Sequence, residues 1–389
     1  MKTRWSSSNI DEKVWLNGIL WMSMQALVIT VLALSLSFIM IDWLDVYTYM
    51  PSSKATDFQM SDMYNAVANR RAVRQLDNDI VIITTDDCSR IEIAELITKI
   101  NDNSPAAIGI DIFFPYTYSD DSILLASLCS CDNLVLPLHV VDSIAEKKKF
   151  SFFDGMVNAQ YGCVNLELAN IRSTLRDFHP YYQYEGGTVP NFAVTLAGVK
   201  DSSTLRTLKN REGNTEIIYF PSVDFVQLEG KRILYDDELQ LEQLKGKIVL
   251  MGDAKNPNDL YLTPLDAAMP GILIHAHTLH TILSNKYVSV SKKWVNWMIA
   301  ILVCFFFSFI NLIAKKSFGK LGNFLMRILQ FLTMYILFAI GCFVFASNGL
   351  YIDFTPSILI IGLGAVAFDV WYGLYVFSLK IKSMFQTNK

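Results

Sequence analysis

The residues whose type and spacing could do chemistry are mostly acids. Asp86 and Asp87 follow the apolar run DIVIIT, Asp111 lies late in AAIGIDIFF, and Asp253 follows Gly252 at the end of LKGKIVLMGD. Each would stand near the carboxyl end of a strand, where open α/β sheets bind their ligands. If the strands are neighbours, the four carboxylates converge and could hold a cation, a cationic ligand or a polyhydroxyl one. The same acids could instead cap the following helices and bind loop backbone. Arg176, after the Gly-x-x-Asn turn at 162–165, reads either as an anion clamp or as the partner of a sheet-end aspartate.

Other constellations are weaker. His275, His277 and His280 suggest a metal, yet on a helix 275 and 277 point apart and only 277 and 280 share a face. No matching carboxylate spacing accompanies them, so no metal centre is expected. Cys88, Cys129, Cys131 and Cys163 could form one disulfide or remain free thiols, because connectivity cannot be read from spacing. The chain carries no Ser/His/Asp elbow, Walker loop or HExxH, and Asp111 lacks the DxD of an aspartate phosphatase. Neither enzymatic activity nor a cofactor is expected.

The elements that must position these residues alternate between strand and helix. Residues 79–84, 106–114 and 133–138 read as buried strands, with helical stretches at 91–100 and 122–128 between them. This β-α-β-α-β order implies right-handed crossovers and a largely parallel sheet. Farther on, 191–198 reads as helix, 216–220 and 247–251 as strands, and 271–283 as a last helix. The patch at 146–149 and the run 200–214 read as surface loops. Residues 54–76 have helical periodicity, either as a stalk or as a helix packed on the domain.

Beyond this α/β region the composition changes. The 389 residues are 52% hydrophobic and 18% charged, with a mean hydropathy of +0.31. A soluble globular chain is about 25% charged. The apolar excess lies in runs at 17–41, 294–314, 328–346 and 354–379, each long enough to cross the hydrocarbon core. The first reads as an uncleaved signal anchor, since its apolar region is too long for a signal peptide and no clear cleavage site follows. Ten of the 33 basic residues fall outside 42–293, in the tails and the joint between the second and third runs. Four spans with both termini in the cytoplasm put all ten on one side, and residues 42–293 outside. The tails, 1–16 and 380–389, are too short to hold a core. Within the fourth run Asp369 is an embedded acid. It could contact a partner helix, or be a protonated or tyrosine-bonded acid near the interface. A net charge of −4 gives no sign of nucleic-acid binding.

An ordered set of motifs resembles a known family. It comprises IGIDIFF at 108–114 with Asp120 and Asp121 behind it, YGCVNLE at 161–167, Arg176, VPNFAVTLAG at 189–198 and LKGKIVLMGD at 244–253. Asp259, the pair Thr263 and Pro264, and PGILIHAHTLHTIL at 270–283 complete it. Together they resemble the type-2 CHASE domain, the sensory extracellular domain of bacterial cyclase and histidine-kinase receptors. The resemblance implies one span, this domain, three close spans, then a cytoplasmic output module. Here the chain stops about ten residues after the fourth run, so it looks like a sensor without its own effector.

The expectation is therefore an α/β extracytoplasmic sensor domain at 42–293, inserted between a first transmembrane helix and a three-helix bundle in the bacterial inner membrane. It would detect a small ligand or an envelope state and pass the signal to a separate effector protein, as a monomer or homodimer. Asp86, Asp87, Asp111, Arg176, Asp253 and Asp259 are the ligand candidates, and Asp369 the partner-helix candidate. The competing expectation is a structural or docking subunit of an envelope complex.

Overall fold

The computed structural model describes residues 7–44, 59–71, 73–119, 121–141, 146–148, 152–166, 173–184, 187–211, 215–218 and 223–387. Asp120, residues 54–58 of the helical stretch and 219–220 of an expected strand lie outside them. The chain divides into two compact units, Asp57–Ser289 and a helical unit made of Met1–Thr56 with Val290–Lys389.

The first unit is built on one sheet. Its strands are β1 (Gln75–Thr84), β2 (Ala107–Asp111), β3 (Leu134–Val141), β4 (Glu146–Lys148), β5 (Gln160–Cys163), β6 (Val223–Glu229) and β7 (Ile248–Gly252). Spatially the order is β6, β1, β7, β2, β3, with β5 beside β3, all parallel; β4 runs antiparallel on β3. The patch expected as a loop at 146–149 thus supplies a strand. The expected strand at 216–220 is reduced to the two-residue ladder Glu216–Ile217.

Both faces of this sheet are covered, which is why its strands read as continuous apolar runs. Ile80, Ile82, Ile248 and Leu250 point to the face packed by α5 (Phe192–Lys200) and α8 (Gly271–Leu283). Val81, Ile83, Ile108, Ile110, Val249 and Met251 point to the other, against α3 (Arg90–Asp102) and α4 (Asp121–Cys129). The Ser89–Glu92 capping box starts α3, two donors satisfied reciprocally. Gly162 lets β5 touch α5, since a Cβ there would lie 2.5 Å from Phe192 Cα. Short helices α6 (Leu205–Lys209) and α7 (Gly230–Tyr235) complete the unit; α6 lies inside the run expected as loop.

The helical stretch near residue 60 is α2 (Met60–Arg71). Tyr64 on it is fully buried, and Ser61 and Asn65 nearly so, which makes it a helix packed on the domain rather than a free stalk.

The second unit contains α1 (Ser7–Leu44), α9 (Lys293–Phe318), α10 (Lys320–Asn348) and α11 (Thr355–Thr387). Four segments are long and apolar enough to cross a membrane: Asn17–Ile39, Lys293–Phe318, Leu321–Asn348 and Thr355–Met384. Small residues Ala26, Ala33, Ala300 and Ala367 lie where α1, α9 and α11 meet, as expected where helices pack without a hydrophobic driving force.

Candidate functional site

Strand register brings the acids to one level. Thr84 of β1 aligns with Gly252 of β7, and Gly252 with Asp111 of β2. The chain leaving β1 turns at once: the Thr85 amide bonds the Gly252 carbonyl and Asp87 takes φ +60°, a left-handed conformation that Asp tolerates better than most residues. Asp86, Asp87, Asp111 and Asp253 therefore stand around the carboxyl ends of three adjacent strands.

They are not equivalent. Asp86 Oδ1 accepts the amides of Ala254 at 2.9 Å and Lys255 at 3.0 Å, while Asp253 Oδ1 accepts those of Lys255 at 2.8 Å and Asn256 at 3.2 Å. The two carboxyls lie close enough to share a proton. Partial burial pushes Asp86 up, but the bond from Asp253 and the two amides outweigh it and leave it low. The shared bond with Asp86, then burial, holds Asp253 high. This corner of the site is a proton-sharing pair that fixes the loop after β7.

Asp111 has no hydrogen-bond donor among the described residues. Burial, then repulsion from Asp259, lifts its carboxyl to about 7. His275, one turn into α8 and 2% exposed, has its Nε2 3.7 Å from Asp111 Oδ2, beyond hydrogen-bond reach. Its Nδ1 has no partner either, and burial lowers the imidazole to about 4. At pH 6 both groups are thus uncharged. Asp259 accepts bonds from the Gly271 amide and the Tyr261 hydroxyl, but burial outweighs these and keeps it high. Its carboxylate sits so close to α8 that a Cβ on Gly271 would come within 2.6 Å of Oδ2. A side chain there would push the Asp259 carboxylate aside.

These groups line an open cleft of about 660 Å³, walled also by Cys88, Ile112, Phe113, His139, Asn165, Asn256 and Asn258. No Lys or Arg lines it among the described residues. Its volume suits a small-molecule ligand. The arrangement can accept hydrogen bonds and positive charge.

A family model, the CHASE2 domain, matches residues 26–313. The chain belongs to the CHASE2 family. No curated protein and no solved structure matches it significantly. CHASE2 domains are extracellular sensory domains, and this one, with four apolar helices, marks a membrane protein.

Three of the residues singled out from the sequence lie elsewhere, and one of them, Asp86, lines a separate hollow with Gln227, Glu229 and Lys255. Arg176 does not line the CHASE2 cleft or meet a sheet-end acid. Its Nε and Nη2 bind Asp62 of α2 at 2.7 and 2.6 Å, and Arg176 is 7% exposed. A helix 114 positions earlier supplies the counter-ion, which sequence spacing could not reveal. Asp369 of α11 pairs with Arg327 of α10 at 2.6 Å, and Gln330 ties the same two helices by bonding the carbonyls of Ile361 and Gly362. The three histidines diverge: His277 packs edge-on against Phe225 and His280 Nδ1 meets Asp77 Oδ2 at 2.5 Å. Cys88, Cys129, Cys131 and Cys163 are all free thiols. Sequence reasoning passed over Tyr261 and the cleft role of His275. The signal available for the latter was its place one turn into a helix that follows an aspartate-bearing loop.

Proposed function

We propose that this CHASE2 protein is a bacterial inner-membrane sensor whose outer domain binds a small extracytoplasmic ligand in the strand-end cleft. The observation that carries the reading is the under-bonded pair in the cleft, Asp111 at the end of β2 and His275 one turn into α8. A ligand that satisfies them favours one position of α8 over another, and only such differential affinity can shift a receptor. Nine residues join Leu283 to Lys293, so α8 feeds directly into the chain of α9 and onward to an effector at the cytoplasmic side. In this reading the chain itself catalyses nothing.

The test is hydrogen exchange on the full chain in lipid nanodiscs, with and without a small-molecule extract of the bacterial envelope. Slower exchange in the first two turns of α8 and in the turn after β1 is expected. Unchanged exchange throughout the cleft would overturn the reading. Topology is checked separately: alkaline phosphatase fused after exposed Asp237 should be active, and fused after Lys389 silent.

A further inference from the structure

We infer that the cleft ligand is an organic polyamine, with one ammonium group seated between Asp111 and His275 and a second at the rim beside Asp87 and Asp253. This deepens the proposed function and rests on it. Three observations point to it. Asp111 is a carboxylate with a lone-pair surface open to the cleft and no donor, and His275 is 98% enclosed with neither ring nitrogen hydrogen-bonded. An ammonium supplies three donors. A nitrogen about 2.8 Å from each of two acceptors closes a triangle over their 3.7 Å separation, so one ammonium satisfies both at once.

Charge selects the class. Asp87, Asp111, Asp253 and Asp259 line the cleft with no Lys or Arg among the described residues, which disfavours ligands bearing carboxylate or phosphate. The acids lie at two depths, Asp111 within and Asp87 and Asp253 at the exposed rim, so a linear molecule charged at both ends is matched better than a single ammonium. A metal ion is matched worse: among the described residues no three His, Cys, Asp or Glu are arranged to hold one.

Seating an ammonium requires Asp111 to be ionised. The titratable groups facing it are Asp259 and Tyr261 from the loop before α8, and His275 from α8 itself. Asp253 follows β7, Asp87 and Cys88 follow β1, and His139 comes from β3. With the carboxyl lifted to about 7, binding releases a proton at neutral pH, and affinity climbs about tenfold from pH 6 to pH 8 while alkyl ammonium groups stay charged.

The experiment is titration calorimetry and melting of the full chain in nanodiscs with diaminobutane, butanediol or calcium chloride, on wild type, Asp111→Asn and Asp87→Asn. Expected is a melting shift with diaminobutane alone and proton release at pH 7. The expectation includes loss of both in Asp111→Asn and weaker binding in Asp87→Asn, whose exposed turn accepts Asn. Stabilisation by butanediol or calcium instead would overturn the polyamine while leaving the cleft a ligand site. No response to any probe, with the envelope extract still protecting α8, would do the same. No response to probes or extract would overturn both readings.

Discussion

Two pairs of acids lie near the strand ends of one sheet and are bonded to different extents. Asp86 and Asp253 share a bond with each other and accept four backbone amide contacts. Asp111 and Asp259 stand beside them; Asp259 is tied to the Gly271 amide and Tyr261, and Asp111 accepts no hydrogen bond among the described residues. The difference teaches that a carboxylate's place at a strand end does not decide its role. What decides it is whether the backbone has already used its lone pairs. Acids that are consumed by structure should matter to stability, and the one left over should matter to binding.

The largest test of that division lies outside the cleft. Asp62→Ala would remove the carboxylate that both Nε and Nη2 of buried Arg176 bind, and breaking such a pair costs about 3–5 kcal/mol. Chemical unfolding of the full chain should show a midpoint shift of that size. A shift below about 1 kcal/mol, the value of an exposed pair, would mean that bonding to structure is a poor guide here.

Beside the cleft, Asp86→Ala takes an acceptor from the amides of Ala254 and Lys255. The expected loss is about 1–3 kcal/mol, read by the same unfolding, together with faster exchange of those two amides. A neutral outcome would erase the contrast between the two pairs.

Asp111→Asn should have the smallest effect, under about 1 kcal/mol at pH 6, because the carboxyl it replaces is uncharged there and has no bond to lose. Its pH dependence sharpens the point. Asp111 titrates at about 7 in the folded chain against a usual value of 3.8, so its contribution is complete below pH 4 and disappears as pH rises through 7. His275 and His277, lowered to about 4 and about 3 from 6.5, act in the opposite sense, their contribution growing as pH rises to 6.5. Removing Asp111 should therefore steepen the rise in melting temperature between pH 4.5 and 6.5, and Asp111→Asn should gain on wild type up to pH 8. Parallel curves for the two proteins would show that Asp111 titrates normally.

How much of this was legible in the sequence depends on whether the signal was local. The helix Gly271–Leu283 and the strand cores at 79–84 and 247–251 were readable because their apolar patterns are long and continuous. β6 was not, since Val223–Glu229 is a half-exposed edge strand whose alternation is broken by the adjacent Phe225 and Val226. The convergence of Asp86, Asp111 and Asp253 could only be posed as a condition on strand neighbours, and register settled it. Arg176 could be seen as wanting a counter-ion, but α2 as its source could not be read from spacing. Nor could sequence say that Asp111 would be left without a donor, because that depends on where every neighbouring amide points.

The sheet order has one more consequence, in the time needed to make the domain. β1 is finished at Thr84, yet both its neighbours, β6 and β7, come from Val223 onward, about 140 residues later. During synthesis the strand IVII must wait, apolar on both faces and with both edges unpaired, until nearly the whole domain has been delivered. Pairings so distant in sequence form slowly, and unpaired strand edges invite aggregation in the interval. Folding of this domain is therefore gated by its last strands. The cleft, which needs the loop after β7, is the final part to come into being.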